Sequence, residues 1–252
     1  MIPKIQVRGL SKSFGSKIVL DHIDLDLMPG ESFCLIGGSG TGKSVLIKCI
    51  LGLLQPDSGH ILINGIDINT LNRRDRQAML AKFGMLFQGG ALFDSLPVWQ
   101  NISFGLMHQK KVGRKEAKEI AIELLSEVNL DAAIADVYPA ELSGGMQKRV
   151  SLARAIACKP DVIFFDEPTT GLDPIVSGSI NNLIIKCVRH LGASAITITH
   201  DLNSLRCIAD RVGLLFQGKM IWVGTLDELE TTDNPYVVQF INGNAEGPFT
   251  LL

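Results

Sequence analysis

What this chain of 252 residues lacks narrows its function before any motif is read. Its five cysteines, Cys34, Cys49, Cys158, Cys187 and Cys207, are scattered, with no CxxC pair among them, so neither a zinc site nor a disulfide framework is indicated. An odd number of lone thiols fits a reducing compartment. The longest apolar runs, such as Val45 to Leu54, are broken by Lys48 and fall short of the roughly 18 residues that a membrane-spanning helix needs. The opening stretch MIPKIQVRGL has no apolar segment of the kind a secretory signal carries, so a cytosolic chain is expected, with any membrane role coming through a partner. There is no basic excess either. The formal net charge is −2, which argues against a nucleic-acid binder, a local basic patch aside. Internal repeats, low-complexity blocks and coiled-coil heptads are also missing.

What is there is a chain with 46% hydrophobic residues, enough for a buried core and too rich for disorder. Its length fits one large domain, or a core carrying a smaller insertion. Period-two patterning in KIQVR (4–8), IDLDL (23–27) and HILIN (60–64) predicts antiparallel strands with one wet face. Short, almost continuous apolar runs follow, and each ends in a glycine or polar residue. SFCLIG ends at Gly37, FGMLFQ at Gln88, DVIFFDE at Asp166-Glu167 and AITITH at His200. Such runs separated by helices predict a parallel sheet buried on both faces.

Between Gln88 and Ser143 the character changes. RKEAKEIAIELLSEVNL places Ile120, Leu124, Leu125 and Val128 at helical spacing with charges opposite, and we read it as part of a small helical insertion. GLLFQGKMIWVG (213–224) is expected to turn back at Gly218-Lys219 as a hairpin. Short helices are expected after it, then an irregular tail from Asn242.

Ligands of open α/β sheets bind at the carboxyl ends of the strands, and four strand ends here carry chemistry-bearing residues. Gly37-Gly38-Ser39-Gly40-Thr41-Gly42-Lys43-Ser44 fits the phosphate-loop pattern GxxxxGK[ST] between a strand and a helical run. Glycines let backbone amides curl around a β-phosphate, and the helix dipole adds positive potential. Lys43 is placed to neutralise β/γ oxygens, and the Ser44 hydroxyl to ligate magnesium. The pattern predicts binding of a nucleoside triphosphate.

Asp166 ends a buried strand where a carboxylate reaches magnesium directly or through water. Glu167 follows as an acceptor for the proton of an attacking water, the alternative being a solvated acid capping a helix. His200 is either catalytic or an ordinary loop histidine. Gln88 either touches magnesium or water, or simply caps its strand. Phe14 is either a stacking surface for adenine or a core aromatic of the β layer. ELSGGMQKRVSLARA (141–155) poses a separate question. Ser143-Gly144-Gly145 opens a helix expected over Met146–Cys158, and exposed amides at a helix start make an anion site. The chain therefore carries two phosphate grips.

In their order and number these motifs resemble the ABC-type ATPases, over nearly the whole chain. The phosphate loop, Gln88, LSGGM (142–146), FFDEP (164–168), GLD (171–173) and His200 fall in the family's order. Two positions depart from the common pattern. The signature ends in Met146 with the glutamine one place later at Gln147, and Phe14 stands where tyrosine is common. The resemblance implies an α/β fold with a P-loop NTPase core, a mainly parallel sheet, an N-terminal antiparallel β layer and a small helical insertion. It places that insertion at about 92–158 of an ABC ATPase domain over 1–241, followed by a tail over 242–252. It implies ATP and Mg2+ as ligands, with Ser44, Gln88 and Asp166 at the metal and Glu167, His200 and Gln88 in catalysis.

The resemblance also explains the second grip. In the family two cassettes pack head to tail, so Ser143, Gly144 and Gly145 would hold ATP bound to a second copy, with Asp173 at the seam. The implied partners are that second copy and an integral membrane permease, at the cytoplasmic face of the inner membrane. The permease would dock near Gly90, Leu92, Phe93, Leu96 and Val98, the other reading of GGALFDSLPV being a covered loop. FQGGALFDSLPVWQNISF (87–104) and VVQFINGNAEGPF (237–249) are similar to the ATPases of Mla-type phospholipid transport, which implies lipid cargo and a lipid-binding substrate protein. The other readings are an importer of amino acids or other small solutes, a soluble ABC protein and a non-hydrolysing scaffold. Glu167 and His200 argue against the last, and the missing second cassette and coiled coil against the soluble one.

Overall fold

The computed structural model describes residues 2–249. In chain order its elements are β1 (Ile5–Phe14), β2 (Lys17–Leu27), β3 (Ser32–Ile36), α1 (Lys43–Ile50), β4 (Ser58–Ile63), β5 (Ile66–Asp67) and α2 (Arg73–Leu80). Then come β6 (Phe83–Leu86), α3 (Val98–Gln109), α4 (Arg114–Glu127), α5 (Gly144–Ile156), β7 (Val162–Asp166), α6 (Pro174–Leu191) and β8 (Ser194–Ile198). The last are α7 (Leu202–Ile208), β9 (Arg211–Phe216), β10 (Lys219–Thr225), α8 (Leu226–Thr231) and α9 (Pro235–Asn242). Two short 3-10 turns, Ala132–Asp136 and Pro139–Glu141, lead into α5. The chain forms two compact units, residues 77–195 and the segments on either side of them.

The flanking segments make the first unit. β2, β1, β4 and β5 form an antiparallel sheet in that order, as the period-two patterning predicts. Ile23, Leu25 and Leu27 of β2 are buried while His22 and Asp24 face water. The β1 register shifts between Val7 and Leu10, and this bulge keeps both residues inward despite the odd spacing. The Asp24 carboxylate accepts the Gly9 amide at 2.8 Å, so a donor freed by the bulge is satisfied.

The unit also holds the order β10-β9-β3-β8, with β3 and β9 parallel and β9 and β10 an antiparallel hairpin. The hairpin turns one residue earlier than expected, at Gln217-Gly218, because Lys219 already pairs with Phe216. Both turn residues take positive φ, 46° and 76°, the backbone that matches the strand twist of a two-residue turn. After α9, Gly243 takes a left-handed φ of 64° and ends the helix. The irregular segment beyond is tied back by Gln239, whose side chain pairs with the Phe249 amide at 2.7 Å and the Asn244 carbonyl at 3.1 Å.

In the second unit β6 and β7 run parallel. Val162 to Phe165 are all buried, and Phe164 meets the Phe83 ring edge-on at 5.3 Å. On α4 the buried stripe is Ala117, Ala121, Leu124 and Leu125, continued by Val128; Ile120, expected within it, lies at its margin. The signature helix α5 begins at Gly144 and ends at Ile156, two residues ahead of expectation at each end, because Ser143 is its cap. No helix among the described residues is long and apolar enough to cross a membrane.

Burial also sets the chemistry of the thiols. It pushes the Cys34 thiol far above its ordinary pKa, raises Cys49 and Cys187 to about 11, and raises Cys158, whereas Cys207 is exposed. A maleimide reagent near neutral pH should therefore modify Cys207 in the native protein, and Cys34, Cys49 and Cys187 only after denaturation, read by peptide mass spectrometry. Equal native labelling of Cys34 and Cys207 would contradict this packing.

Candidate functional site

In the first unit the phosphate loop joins the end of β3 to the start of α1. Gly37 and Gly42 take φ of 144° and 107°, values that L side chains rarely adopt. A Cβ on Gly37 would lie 2.2 Å from the Leu215 carbonyl oxygen, and one on Gly42 would lie 2.7 Å from that of Val19. Both obstacles are backbone, so neither can yield. The N-cap of α1 is Gly42, which brings no side-chain oxygen to the first amides of the helix. Lys43 is buried and curls back, its Nζ donating to the Gly37 and Gly38 carbonyls at 2.7 and 2.6 Å. Thr41 Oγ1 donates to Gly38 O at 3.0 Å. Ser39 and Ser44 are exposed. The loop is a preformed anion cradle around an ammonium group.

Phe14 ends β1 with its ring 50% exposed, which removes the reading of a core aromatic. The Lys12 ammonium stands 5.6 Å from the ring centroid and also pairs with Asp57 at 2.7 Å. His200 is exposed after β8 and Thr199, immediately before Asp201, which caps α7.

In the second unit the ends of β6 and β7 come together. Gln88 Nε2 donates to Glu167 Oε2 at 3.0 Å, and Thr170 Oγ1 donates to the same carboxylate at 2.8 Å. Glu167 has a φ of 48°, a conformation uncommon outside glycine and frequent where function requires it. It caps no helix. That task falls to Asp173, whose Oδ1 accepts the Ile175 and Val176 amides at 3.0 Å and starts α6. Asp166, the last residue of β7, is half-buried. Since the Gln88 amide nitrogen is committed to Glu167, its side-chain oxygen remains for a cation. That amide oxygen and the Asp166 carboxylate are oxygen donors of the kind hard Mg2+ takes.

Ser143 caps α5, its Oγ accepting the Met146 amide at a long 3.4 Å, and Gly144 is exposed. The displaced glutamine of the signature serves the loop behind it: Gln147 Nε2 donates to the Pro139 and Leu142 carbonyls at 2.9 and 3.3 Å. One turn into α5, Lys148 is buried, with its Nζ hydrogen-bonded to the Gln88 carbonyl and 3.4 Å from that of Glu167. Burial lowers its pKa, opposed by the carboxylates of Glu167 and Asp166. Sequence reasoning missed Lys148 and Thr170. The signal for Lys148 was a lysine, serine and arginine three apart on one helix, at 148, 151 and 154.

The segment expected to receive a permease is only partly open. Gly90 and Val98 are buried, and Asn101 holds the loop, accepting the Phe93 amide at 2.7 Å and donating to the Leu96 carbonyl at 2.8 Å. The exposed large apolar side chains there are Phe87 and Phe93, the latter 43% exposed and packed on Phe104 at 4.7 Å.

A glycine cradle opening a helix, together with a buried strand ending in paired carboxyl groups, is the construction of a P-loop ATPase. The model of the ABC transporter family matches residues 20–170, and the chain belongs to that family. It is 40% identical to the probable ribonucleotide transport ATP-binding protein mkl of Mycobacterium leprae, over 97% of this chain and 70% of that protein. It is 38% identical to the intermembrane phospholipid transport system ATP-binding protein MlaF of Haemophilus influenzae, over 97% of this chain and 92% of that protein. Among solved structures, the dimeric ATP-binding cassette MJ0796, in a post-hydrolysis state bound to ADP and Pi, superposes with a TM-score of 0.81 at 29% identity. That match covers 88% of this chain and 98% of the other. The chain is thus an ATP-hydrolysing ABC cassette with the α/β fold expected of it.

Replacing Lys43 by Ala should weaken ATP binding by about 10- to 100-fold, the worth of charge-assisted hydrogen bonds to phosphate. Titration with a fluorescent ATP analogue measures this, and circular dichroism should show an unchanged fold. Unchanged affinity would remove Lys43 from the phosphate grip.

Proposed function

We propose that two copies of this chain close head to tail around two ATP molecules, and that closing and reopening drive a separate membrane permease that moves phospholipid in a bacterial envelope. The dimer reading is supported by the likeness to a cassette solved as a dimer with ADP and Pi. The phospholipid reading rests on one observation, the similarity to MlaF along 97% of this chain and 92% of that protein. The stretch QFINGNAEGP (239–248) adds to it.

In this reading the loop from Gly37 to Gly42, with Lys43, holds the phosphates, and Phe14 stacks on adenine. Ser143, Gly144 and Gly145 of the second copy close over the γ-phosphate, with the positive end of α5 aimed at it. Ser44, Gln88 and Asp166 would hold magnesium, which when bound would neutralise charge developing on the phosphate oxygens. Glu167 takes a proton from the attacking water, held in place by its bonds to Gln88 and Thr170. As the water oxygen bonds to the γ-phosphorus, the bond to the β–γ bridging oxygen breaks, leaving ADP and phosphate. His200 steadies the γ-phosphate and the water. Loss of the shared γ-phosphate lets the two copies part, and the work reaches the permease from the cytoplasmic face of the inner membrane. A lipid-binding substrate protein would exchange cargo with that permease.

A second cargo reading, a small solute, is favoured by the relative named for ribonucleotide transport. Purification from native membranes separates the two. Recovery of phospholipid and a permease carrying a lipid-binding domain supports the first, and recovery of the permease of a small-solute receptor overturns it.

Replacing Glu167 by Gln should leave ATP binding intact and lower turnover by about 100-fold or more, the usual worth of a general base. The variant should run as a stable dimer with ATP on size exclusion. Hydrolysis at the rate of the unaltered protein would remove Glu167 from the base's role.

A further inference from the structure

The face of α5 carrying Lys148, Ser151 and Arg154 is bound to the loop that follows β6. Residues three apart project from one side of a helix, and each of these meets a main-chain carbonyl of that loop. Lys148 Nζ binds the Gln88 carbonyl. Ser151 Oγ donates to Gly90 O at 3.1 Å, and Arg154 donates to Gly90 O at 2.6 Å and Ala91 O at 2.7 Å. Lys148 alone goes further, because its Nζ also lies 3.4 Å from the carbonyl of Glu167. Lys148, 7% exposed, thereby ties three segments: the signature helix, the loop after β6 at Gln88 and the residue after β7.

The side chains of those same two residues, the Gln88 amide and the Glu167 carboxylate, are joined at 3.0 Å. Glu167 sits in a left-handed backbone that persists only if its surroundings hold it. A buried ammonium on its carbonyl is such a hold. A helix is rigid over the turn and a half from Ser143 to Lys148, so displacement of one end moves the other.

We propose that Lys148 is a positioning residue that couples the signature helix to Gln88 and Glu167. Resting on the head-to-tail dimer proposed above, this makes the grip on a partner's ATP and the alignment of the chain's own base one mechanical unit. Lys148 touches no nucleotide. It sets where Gln88 and Glu167 stand when the partner's ATP engages the far end of its helix.

The test replaces Lys148 by Met, which keeps the stem and removes the ammonium, and by Arg, which restores a cation. In nucleotide-free protein, Lys148→Met should raise hydrogen–deuterium exchange in the segments around Gln88–Ala91 and Glu167–Thr170, and Lys148→Arg should return it toward the original. In steady-state hydrolysis Lys148→Met should lose about 10- to 100-fold in kcat, as displaced catalytic groups do, with KM for ATP held within about twofold. The Hill coefficient for ATP should fall toward that of independent sites, and Lys148→Arg should recover part of both. Should Lys148→Met fail to fold, Lys148→Gln carries the same expectations.

Unchanged kcat and cooperativity in a folded Lys148→Met would overturn the proposal. So would a lower melting temperature with exchange and kcat unaltered. Because Lys148 makes no ATP contact, Glu167→Gln and its double variant with Lys148→Met should both dimerise with ATP. If Glu167→Gln alone stays monomeric, the dimer reading fails and the proposal with it. If both dimerise while Lys148→Met keeps full kcat, only the role of Lys148 fails.

Discussion

In the proposed mechanism, two helix starts with little or no side-chain capping are the resource on which the chemistry depends. At α1 the cap is a glycine with no side-chain oxygen to offer. At α5 the Ser143 hydroxyl reaches only the Met146 amide, and at 3.4 Å. Each helix start carries roughly half a positive charge, which a phosphate completes. The folding of the loop protects this resource. Gly37 and Gly42 lie where backbone carbonyls leave no room for a Cβ, so the cradle keeps its curvature before any ligand arrives. Lys43 adds a full charge while its own donors rest on loop carbonyls.

Around the second grip the structure spends hydrogen bonds on connection. Gln147 anchors the loop behind the signature, Ser143 starts the helix, and Lys148, Ser151 and Arg154 fasten that helix to the loop after β6. The Gln88 amide then reaches Glu167. In the proposed dimer, an anion at one end of α5 would be continuous, through side chains and main chain, with the Glu167 carboxylate. In that dimer, charge on phosphate and geometry at the base would become a single problem, which gives a physical sense to two unequal grips on one chain.

The phosphate loop and the four strand ends were legible because they are local: glycine spacing and apolar runs leave marks within ten residues. So was the antiparallel layer, although the bulge that keeps Leu10 inward was not, since register depends on the partner strand. The hairpin turn was misplaced by one residue because Gly218-Lys219 resembles a turn pair as readily as Gln217-Gly218, and only pairing of Lys219 with Phe216 decides. Phe14 was ambiguous for a related reason, as a strand-end aromatic can face either way. Lys148 was invisible because its partners are main-chain carbonyls far along the chain, and a carbonyl has no residue type. Long-range contact to backbone leaves no pattern to read.

The central claim is that each triphosphate is held between two copies, one lending its phosphate loop and the other the start of its signature helix. It is tested most directly by mixing protomers carrying Ser39→Cys with protomers carrying Ser143→Cys, in a background without Cys207 and with Glu167→Gln, then oxidising with and without ATP. Both serines are exposed, so each thiol is available at its own grip. The account predicts a disulfide-linked pair of unlike protomers that forms with ATP and not without it. Absence of that pair under ATP, in protein that still binds nucleotide, would contradict it.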